Sequence, residues 1–417
     1  MNEIRNIIIG FELGEKESQI CYYDRKAGEA VSMALQVGTS QYTFPTILSK
    51  KPGKETWHFG PEAEYFTGQQ DDIYVGNVYT LCQSREKVPV DGTEWEPGIL
   101  MGKFLCQALR LLGVPDPARS ISAFMVTVPE ITGVLVENMR EAFRELGCAE
   151  NRTFLQSREE SFYYHTLYQR PELWIRKVGL FCFEGMEAAF SSLEISDGTR
   201  PAQVRVRRGE RQTLPEDPGE RDRQFVQMIE RCLGTDRYSS LFLVGEGFDR
   251  EWAKASVPVL CRNHCHVFYG NNLFAKGACY AAREKVEEKN LKNYLFLGED
   301  RIRFQLSMEM RVNGSETLYT LIPGGLNWYE ARQECEILLD SQKELIFVIQ
   351  DQVSGEKKRC RMELPGLPER PAKATRLKIQ ASYESAGGCR ITVEDLGLGE
   401  LFPASGLIWQ ERIPEEE

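Results

Sequence analysis

The stretch IIIGFELGEKESQICYYD, residues 7–24, decides the fold of the first part of this chain. Residues 6–13 place apolar side chains on both faces, which predicts a strand buried on both sides of a sheet. Gly14 interrupts this pattern and residues 18–24 continue as a second strand, so the unit is a hairpin. Glycine at such a turn also lets backbone N–H groups approach a phosphate closely. The stretch therefore predicts either a plain hairpin or a phosphate-binding one.

Strands and helices alternate in the chain that follows. The apolar spacing predicts, in order, a helix over 98–113, a strand over 121–128, a helix over 134–147, a strand over 153–156 and a helix over 158–169. Alternation of this kind favours an α/β domain with parallel strand pairing.

Two later segments repeat the combination of a strand and a glycine. In VGLFCFEGMEAAFSSLEI, residues 178–195, Gly185 separates two strand patterns. In SLFLVGEGFD, residues 240–249, a strand is followed by Gly245 and Gly247. Both segments predict tight turns at the end of a buried strand.

In this order, the three segments resemble the two phosphate loops and the adenosine loop of actin-like ATPases, in particular the 70-kilodalton heat-shock chaperones. Residues 42–48, YTFPTIL, and 275–282, AKGACYAA, resemble two further motifs of that family. The resemblance implies a two-lobed actin-like fold whose cleft takes ATP or ADP with Mg. It implies that the cleft contains Gly10, Glu12, Gly14, Ser18, Gly185, Gly245 and Gly247. No catalytic residue and no metal ligand is assigned.

The residues that should contact phosphate depart from the family pattern. Glu12 stands where the family has Asp, and residues 182–187 read CFEGME where the family has Asp-Leu-Gly-Gly-Gly-Thr. Residues 158–162 read REESF in place of Glu-Pro-Thr-Ala-Ala, and Tyr79 aligns with the family's lysine. The first loop adds Glu15, Lys16 and Glu17. A glutamate beside a triphosphate repels it by about 1 kcal/mol in water and by more where water is excluded.

Phosphoryl transfer requires a carboxylate on the metal or water and a cation on the transferred phosphate. The altered loops therefore favour a chaperone-like scaffold, a pseudo-ATPase that binds a peptide or protein. The alternative is an active ATP-dependent chaperone, an ATP hydrolase, which the resemblance alone supports. A filament-forming actin-like protein is a third possibility, and the C-terminal pattern argues against it.

The second lobe is expected to be reduced. Only residues 196–238 separate the second phosphate-loop segment from the adenosine-loop segment, where the family has a full subdomain that forms one wall of the adenine pocket. The segment is rich in arginine and proline and ends in a helix predicted over 220–233. Its arginines predict either a solvated hairpin or a surface for an acidic partner.

Short strands replace the α/β pattern from about residue 293 onwards. Period-two alternation, as in residues 376–381 and 390–394, predicts a two-layer antiparallel β-sandwich. This region resembles the family's peptide-binding β-domain without its helical lid, and a charged segment, residues 288–292, stands in place of the family's hydrophobic linker. We therefore predict an actin-like domain over residues 1–287 and a β-sandwich over residues 288–417. A partner would add a strand to the sandwich or occupy a groove in it.

Composition limits the other classes of function. The net charge of -11 opposes binding to nucleic acid and to anionic membrane surfaces. No apolar run approaches the ~20 residues that span a bilayer, and the start of the chain has no signal-peptide pattern, so we expect a cytoplasmic protein. The twelve cysteines are then expected to be free thiols. Residues 261–266, CRNHCH, have metal-ligand types without the second ligand pair of a zinc site.

Overall fold

The computed structural model describes residues 6–36, 38–39, 41–114, 116–287, 289–312, 314–340, 343–352 and 354–413. The fold is mixed α/β and divides into two compact units between Phe296 and Leu297. The sequence pattern places this boundary at residue 288, and Glu288 itself lies outside the described residues. The difference arises because a short strand at Tyr294–Phe296 completes a sheet of the first unit.

The elements of the first unit follow in chain order. In its first half they are β1 (Ile7–Leu13), β2 (Glu17–Asp24), β3 (Glu29–Ser32), β4 (Thr43–Pro45), β5 (Ile47–Lys50), β6 (Trp57–Phe59), α1 (Gly60–Gly68), β7 (Ile73–Asn77), α2 (Val78–Leu81), β8 (Val88–Val90), β9 (Thr93–Trp95), α3 (Pro97–Arg110), α4 (Pro117–Ser120), β10 (Ile121–Val128), α5 (Gly133–Glu145), β11 (Thr153–Ser157) and α6 (Arg158–Leu167). In its second half they are β12 (Lys177–Glu184), β13 (Glu187–Ser196), β14 (Ala202–Thr213), α7 (Pro218–Leu233), β15 (Tyr238–Val244), α8 (Ser256–Leu260), β16 (His266–Tyr269), α9 (Leu273–Val286) and β17 (Tyr294–Phe296).

The two main sheets of this unit share one topology. The first sheet has the order β11-β10-β1-β2-β3, and the second has the order β16-β15-β12-β13-β14-β17. In the first, β1, β2 and β3 form an antiparallel meander, while β10 and β11 add in parallel on the other side of β1. In the second, β12, β13 and β14 form the meander, while β15 and β16 add in parallel beside β12. The unit therefore contains the same five-strand arrangement twice.

Helices α6 and α9 lie between the two sheets. One core joins the inner side chains of the first sheet, such as Ile8 and Met125, to those of the second, such as Val178 and Phe242, through both helices. The other face of the first sheet packs on α3, where Phe11 and Phe104 lie 6.2 Å apart between ring centroids. The outer face of the second sheet packs on α7. This layering brings the carboxyl ends of β1, β12 and β15 to one place.

The predicted elements of the first half overlap the observed ones, and β10 has the predicted limits. The helix after β15 is different: the sequence suggests a start near Trp252, whereas α8 begins at Ser256. Two features explain the shift. The Trp252 ring packs 5.6 Å from Phe248, in an aromatic cluster that holds a turn, and the carboxylate of Asp222 accepts the backbone N–H groups of Ala255 and Ser256.

The second unit consists of two antiparallel sheets. Its strands are β18 (Phe304–Val312), β19 (Ser315–Ile322), β20 (Arg332–Leu339), β21 (Glu344–Asp351), β22 (Lys357–Glu363), β23 (Thr375–Tyr383), β24 (Cys389–Gly397) and β25 (Ile408–Ile413). One sheet has the order β19-β18-β21-β22 and the other β20-β23-β24-β25. Buried side chains from both sheets, among them Phe347 and Ile391, form a single core. The period-two pattern in β23 and β24 alternates as predicted, with buried positions separated by half-buried ones in β24 and by half-buried or exposed ones in β23.

The crossing of α6 and α9 depends on a glycine, which gives a first prediction. A Cβ atom on Gly277 would lie 2.0 Å from the backbone oxygen of Ser161. We expect Gly277→Ala to lower the free energy of unfolding by about 1–3 kcal/mol, measured by urea denaturation, because the helices must separate. Gly68→Ala is the control, since a Cβ there meets nothing within 4 Å and alanine favours the helix by up to about 1 kcal/mol. Equal effects of the two changes would contradict this account of the helix crossing.

Candidate functional site

A cleft lies where the first hairpin (β1–β2), the second hairpin (β12–β13) and the loop after β15 meet. Its volume is about 150 Å³. Its walls combine charged side chains with apolar ones and are formed by Glu12, Gly14, Glu15, Lys16, Glu17, Gln19, Thr43, Arg158, Cys182, Phe183, Glu184, Gly185, Val244, Gly245, Glu246, Asn271 and Phe274.

Glycines allow the backbones to approach one another around the cleft. A Cβ atom on Gly14 would lie 2.2 Å from the oxygen of Glu17, so the first hairpin turn excludes any larger residue. Gly245 has a φ of +99°, and a Cβ atom there would lie 1.9 Å from the oxygen of Phe183. Glycine is therefore required at both positions for steric reasons that do not involve a ligand.

Arg158 lies at the centre of the cleft. It is the first residue of α6, a helix capped by Ser157, whose hydroxyl accepts the N–H of Glu160. Its guanidinium group donates from Nη1 to Glu184 Oε1 at 2.5 Å and lies 3.3 Å from Glu12 Oε1 through Nη2. Arg158 thus joins the end of β1 to the end of β12 by two ion pairs.

Burial and charge act in opposite directions on these groups. Burial raises the pKa of the Glu12 carboxyl, while the charge of Arg158 and a hydrogen bond from Gln19 counteract part of that rise. Burial disfavours the charged form of Arg158, but Glu12 and the other acidic groups outweigh it and hold the guanidinium pKa above its usual value. Burial also raises the pKa of the Cys182 thiol to about 11. Arg158 is therefore a permanent cation, and Cys182 is an unreactive thiol at neutral pH.

A second set of hydrogen bonds crosses the cleft beside this ion-pair network. The amide of Gln19 donates to Glu12 Oε2 at 2.6 Å and also to the carbonyl oxygen of Asn271. The Oδ1 atom of Asn271 accepts the backbone N–H of Gly245 at 2.9 Å. The first hairpin is thereby connected to the loop after β15.

Two carboxyl groups meet at the mouth of the cleft. A hydrogen bond with Glu17 raises the pKa of Glu246 to about 6, and burial and the charge of Glu17 act in the same direction. Lys16 opposes this rise. The Glu246 carboxyl is therefore mostly protonated below about pH 6 and ionised above it.

Four of the seven predicted site residues line the cleft: Glu12, Gly14, Gly185 and Gly245. The other three have packing roles. Gly10 lies against α9, where a Cβ would be 2.3 Å from the oxygen of Ala275. Ser18 is buried and its hydroxyl lies 2.8 Å from that of Thr46. Gly247 packs on the backbone of Gly185, where a Cβ would be 2.1 Å from an oxygen.

The sequence pattern missed the two residues that organise the cleft, Arg158 and Gln19. The aligned motif assigned no role to Arg158, although its charge complements the glutamates at both phosphate-loop positions. Tyr79, aligned with the family's lysine, is buried in α2 and does not line the cleft. Within the described ranges, no three His, Cys, Asp or Glu side chains form a group that could hold a metal ion.

The arginine-rich segment forms β14, which pairs with β13 in a hairpin and is the third strand of the second meander. Its arginines are exposed, as expected for a solvated hairpin. Three of its arginines pair with glutamates of neighbouring elements: Arg207 with Glu194 at 3.2 Å, Arg211 with Glu187 at 3.7 Å, and Arg208 with Glu159. These pairs neutralise much of the positive charge that suggested a surface for an acidic partner. In the part of the chain that the structure covers, no helix is long and apolar enough to cross a membrane.

Comparison with known families divides the chain at nearly the same place as the structure. Residues 301–414 match a domain described as "Domain of unknown function (DUF8552)". No curated protein matches the chain. Residues 29–299, well over half of the chain, match the model described as "Family of unknown function (DUF5716) C-terminal". The chain therefore belongs to the DUF5716 family.

Proposed function

We propose that this protein is a chaperone-like scaffold that binds a peptide or protein, and that its first unit is a pseudo-ATPase with an actin-like fold. The repeated five-strand arrangement, with two helices between the sheets, supports the actin-like part of the proposal. The inference that ATPase activity is lost rests on one observation. The Arg158 guanidinium bridges Glu12 and Glu184 at the place where the resemblance puts the phosphates and the metal.

This ion-pair network competes with nucleotide binding. Arg158 is the cation best placed to meet a phosphate, and its charge is already neutralised by two carboxylates. Glu15 and Glu17 line the same cleft and would repel a triphosphate. Nucleotide binding would therefore require the ion-pair network to open, and the buried Glu12 would then lose its contact with Arg158.

The cleft that contains the network is by itself small for a nucleotide, although a cavity of about 480 Å³ adjoins it and shares Thr43, Gly245 and Asn271 with it. The cleft volume is about 150 Å³, whereas sites for drug-sized ligands occupy roughly 300–1,000 Å³. Between β13 and β15 the chain has one strand and one helix, β14 and α7. This short segment supports the expectation that the second lobe lacks the wall that would enclose an adenine.

The second unit supplies features suited to an extended peptide. Strand β19 lies at the edge of its sheet, and Leu318 and Tyr319 on it are 38% and 43% exposed. An edge strand presents unpaired backbone N–H and C=O groups to which another chain can add. Addition of a partner strand at this edge is the mode of binding that these features favour.

The nucleotide half of the proposal is tested by thermal melting of the full chain. We expect no change in melting temperature with Mg-ATP or Mg-ADP at roughly millimolar concentration, and no phosphate release above the blank. At this concentration a nucleotide with a micromolar Kd would raise the melting temperature measurably. An upward shift of several degrees together with phosphate release would instead favour the active ATP-dependent chaperone.

The binding half is tested by aggregation of a reduced, unfolded model protein. We expect the full chain to suppress light scattering to the same extent with and without Mg-ATP. Leu318→Lys should weaken this suppression, whereas Tyr65→Lys, at a still more exposed position on α1 of the first unit, should not. Absence of suppression, or suppression only with ATP, would overturn the proposal.

A further inference from the structure

The cavity that adjoins the cleft lies outside the carboxyl ends of β15 and β16. These two strands pair in parallel, with Leu243 opposite Tyr269, and both residues line the cavity. The loops that follow the two strands supply Gly245 and Asn271 to its walls. The crevice outside the carboxyl ends of parallel strands is the usual ligand site of an open α/β sheet. The position of the cavity in the fold is therefore that of a ligand site.

The cavity differs from the cleft in charge. Among the described residues that line the cavity, none carries an ionised side chain at neutral pH. The adjoining cleft, by contrast, contains the carboxylates of Glu17 and Glu246. An anion in the cavity would lose hydration without gaining a counter-charge, and the neighbouring carboxylates would repel it. The walls of the cavity likewise offer a cation no partner, so they favour an uncharged ligand.

Several polar side chains in the walls are available to such a ligand. One is exposed and the others are half-buried, and their side-chain amides and hydroxyls form no hydrogen bond to the part of the chain that the structure describes: Gln41, Tyr42, Thr43, Tyr269 and Asn272. Amide groups and hydroxyl groups both donate and accept hydrogen bonds. They therefore match the hydroxyl groups of a ligand, since each of those also donates and accepts.

Asn272 leaves its amide in the cavity although the fold has another use for it. It is the N-cap residue of α9, and asparagine is among the best N-cap residues, worth about 1 kcal/mol. Its φ of -97° and ψ of 4° are not extended, and its side chain forms no capping hydrogen bond. The amide is thus available to a ligand instead of stabilising the helix.

Aromatic rings form the apolar part of the wall. The rings of Phe248 and Tyr269 lie 5.4 Å apart at an angle of 16°, and the Arg250 guanidinium carbon lies 4.0 Å from the Tyr269 centroid. Because the two rings stack directly on each other, a planar base cannot insert between them. Their remaining surface, together with Leu243, suits the C–H groups of a non-planar ring. The volume of about 480 Å³ corresponds to roughly sixteen water molecules at about 30 Å³ each, which is room for a small sugar.

We infer that this cavity binds a neutral carbohydrate, a mono- or disaccharide without phosphate or carboxylate groups. The sugar hydroxyls exchange hydrogen bonds with the side chains of Gln41, Tyr42 and Asn272, and the C–H groups of the sugar ring lie along the aromatic wall. The inference goes beyond the proposed function, because it gives the first unit a ligand of its own and does not depend on what the second unit binds.

The test is saturation-transfer NMR titration of the full chain with glucose, galactose, mannose, maltose and cellobiose. We expect saturable binding of at least one of these sugars, weakened about tenfold or more in Gln41→Leu and in Asn272→Leu, because each variant leaves a sugar hydroxyl without its partner. Both variants should keep the wild-type stability to urea, since neither side chain has a partner within the described residues. Gln227→Leu is the matched control, an exposed glutamine on α7 outside the cavity lining.

Two further measurements test the absence of charge. The affinity for the sugar should be the same at low and at high salt, and the 6-phosphate of the bound sugar should bind more weakly than the sugar itself. Failure of every sugar to bind, equal binding by Gln41→Leu and Gln227→Leu, or tighter binding of the sugar phosphate or of adenosine would overturn the inference. The proposed function is tested separately, by melting with Mg-ATP and by the aggregation assay, so the two proposals can fail independently.

Discussion

Replacing Arg158 with methionine is expected to lower the free energy of unfolding by about 3–5 kcal/mol, because it leaves a buried carboxylate without its partner. The Arg158 side chain is 20% exposed and that of Glu12 is 9% exposed, so water compensates for little of the loss. Methionine keeps most of the aliphatic stem and therefore isolates the effect of the charge. Urea denaturation of the full chain, followed by tryptophan fluorescence, measures the change.

Two further variants make this prediction specific. Arg85→Met removes the same charge from a pair with Glu137 in which both side chains are more than half exposed, and it should cost at most about 1 kcal/mol. Adding Glu12→Gln to Arg158→Met should restore part of the lost stability, because the uncompensated charge is then removed. Comparable losses of unfolding free energy in Arg158→Met and Arg85→Met would show that the cleft network stabilises the protein no more than an exposed ion pair does.

Replacing Asp395 with asparagine is expected to destabilise the second unit by a similar amount, about 3–5 kcal/mol at pH 7. Its carboxylate forms a two-pronged pair with Arg370, at 2.8 Å and 2.9 Å, and the two side chains are 0% and 5% exposed. It also accepts the backbone N–H groups of Gly397 and Ser405, and Arg370 donates to the oxygen of Pro403. The pair therefore fixes the loop between β24 and β25.

The same pair gives this variant a defined pH dependence. Burial disfavours the charged form of Asp395, but hydrogen bonds from Arg370, Ser405 and Gly397 outweigh it and hold its pKa well below the usual value. A carboxylate whose pKa is lower in the folded state contributes its full stability above the unfolded-state pKa of about 3.9, and loses it as the pH falls further. The stability gap between wild type and Asp395→Asn should thus be constant from pH 7 to 5 and shrink below pH 4.

A matched variant tests this assignment. Glu344→Gln removes a carboxylate from the pair with Arg361, whose side chain is 65% exposed, and its effect should stay within about 1 kcal/mol at every pH. A gap between wild type and Asp395→Asn that persists unchanged to pH 3 would contradict the proposed role of the ion pair.

The sequence predicted features that depend on near neighbours in the chain. The limits of β10 follow from an apolar run that ends at Pro129, and the turns at Gly14 and Gly185 follow from glycine between two strand patterns. The residues that cause these features lie only a few positions away in the chain, so a local sequence pattern is enough to predict them. The alternation in β23 and β24 is likewise a property of each strand and the core face beside it.

The features that the sequence did not predict depend on distant residues. Gly10 was assigned to a nucleotide cleft, whereas its close neighbours are Ala275 and Cys279 on α9. Arg158 was aligned with a helix-start motif, and its partners Glu12 and Glu184 become visible only when the two hairpins meet. The first unit extends past residue 288, to Phe296, because β17 pairs with β14, a strand that begins far earlier in the chain, at Ala202. In each case, tertiary packing decides a role that the local pattern leaves open.

The location of α9 has a consequence for how the protein is made. The first sheet is complete in sequence at Ser157, but the helix that covers its inner face begins only at Leu273. A ribosome that adds about 5–20 residues per second needs on the order of 10 s to reach the end of this helix. During that interval the inner-face side chains of the first sheet, such as Ile8 and Met125, lack the cover that α9 provides. The inner face of the first sheet can therefore be completed only when synthesis of the first unit is nearly finished.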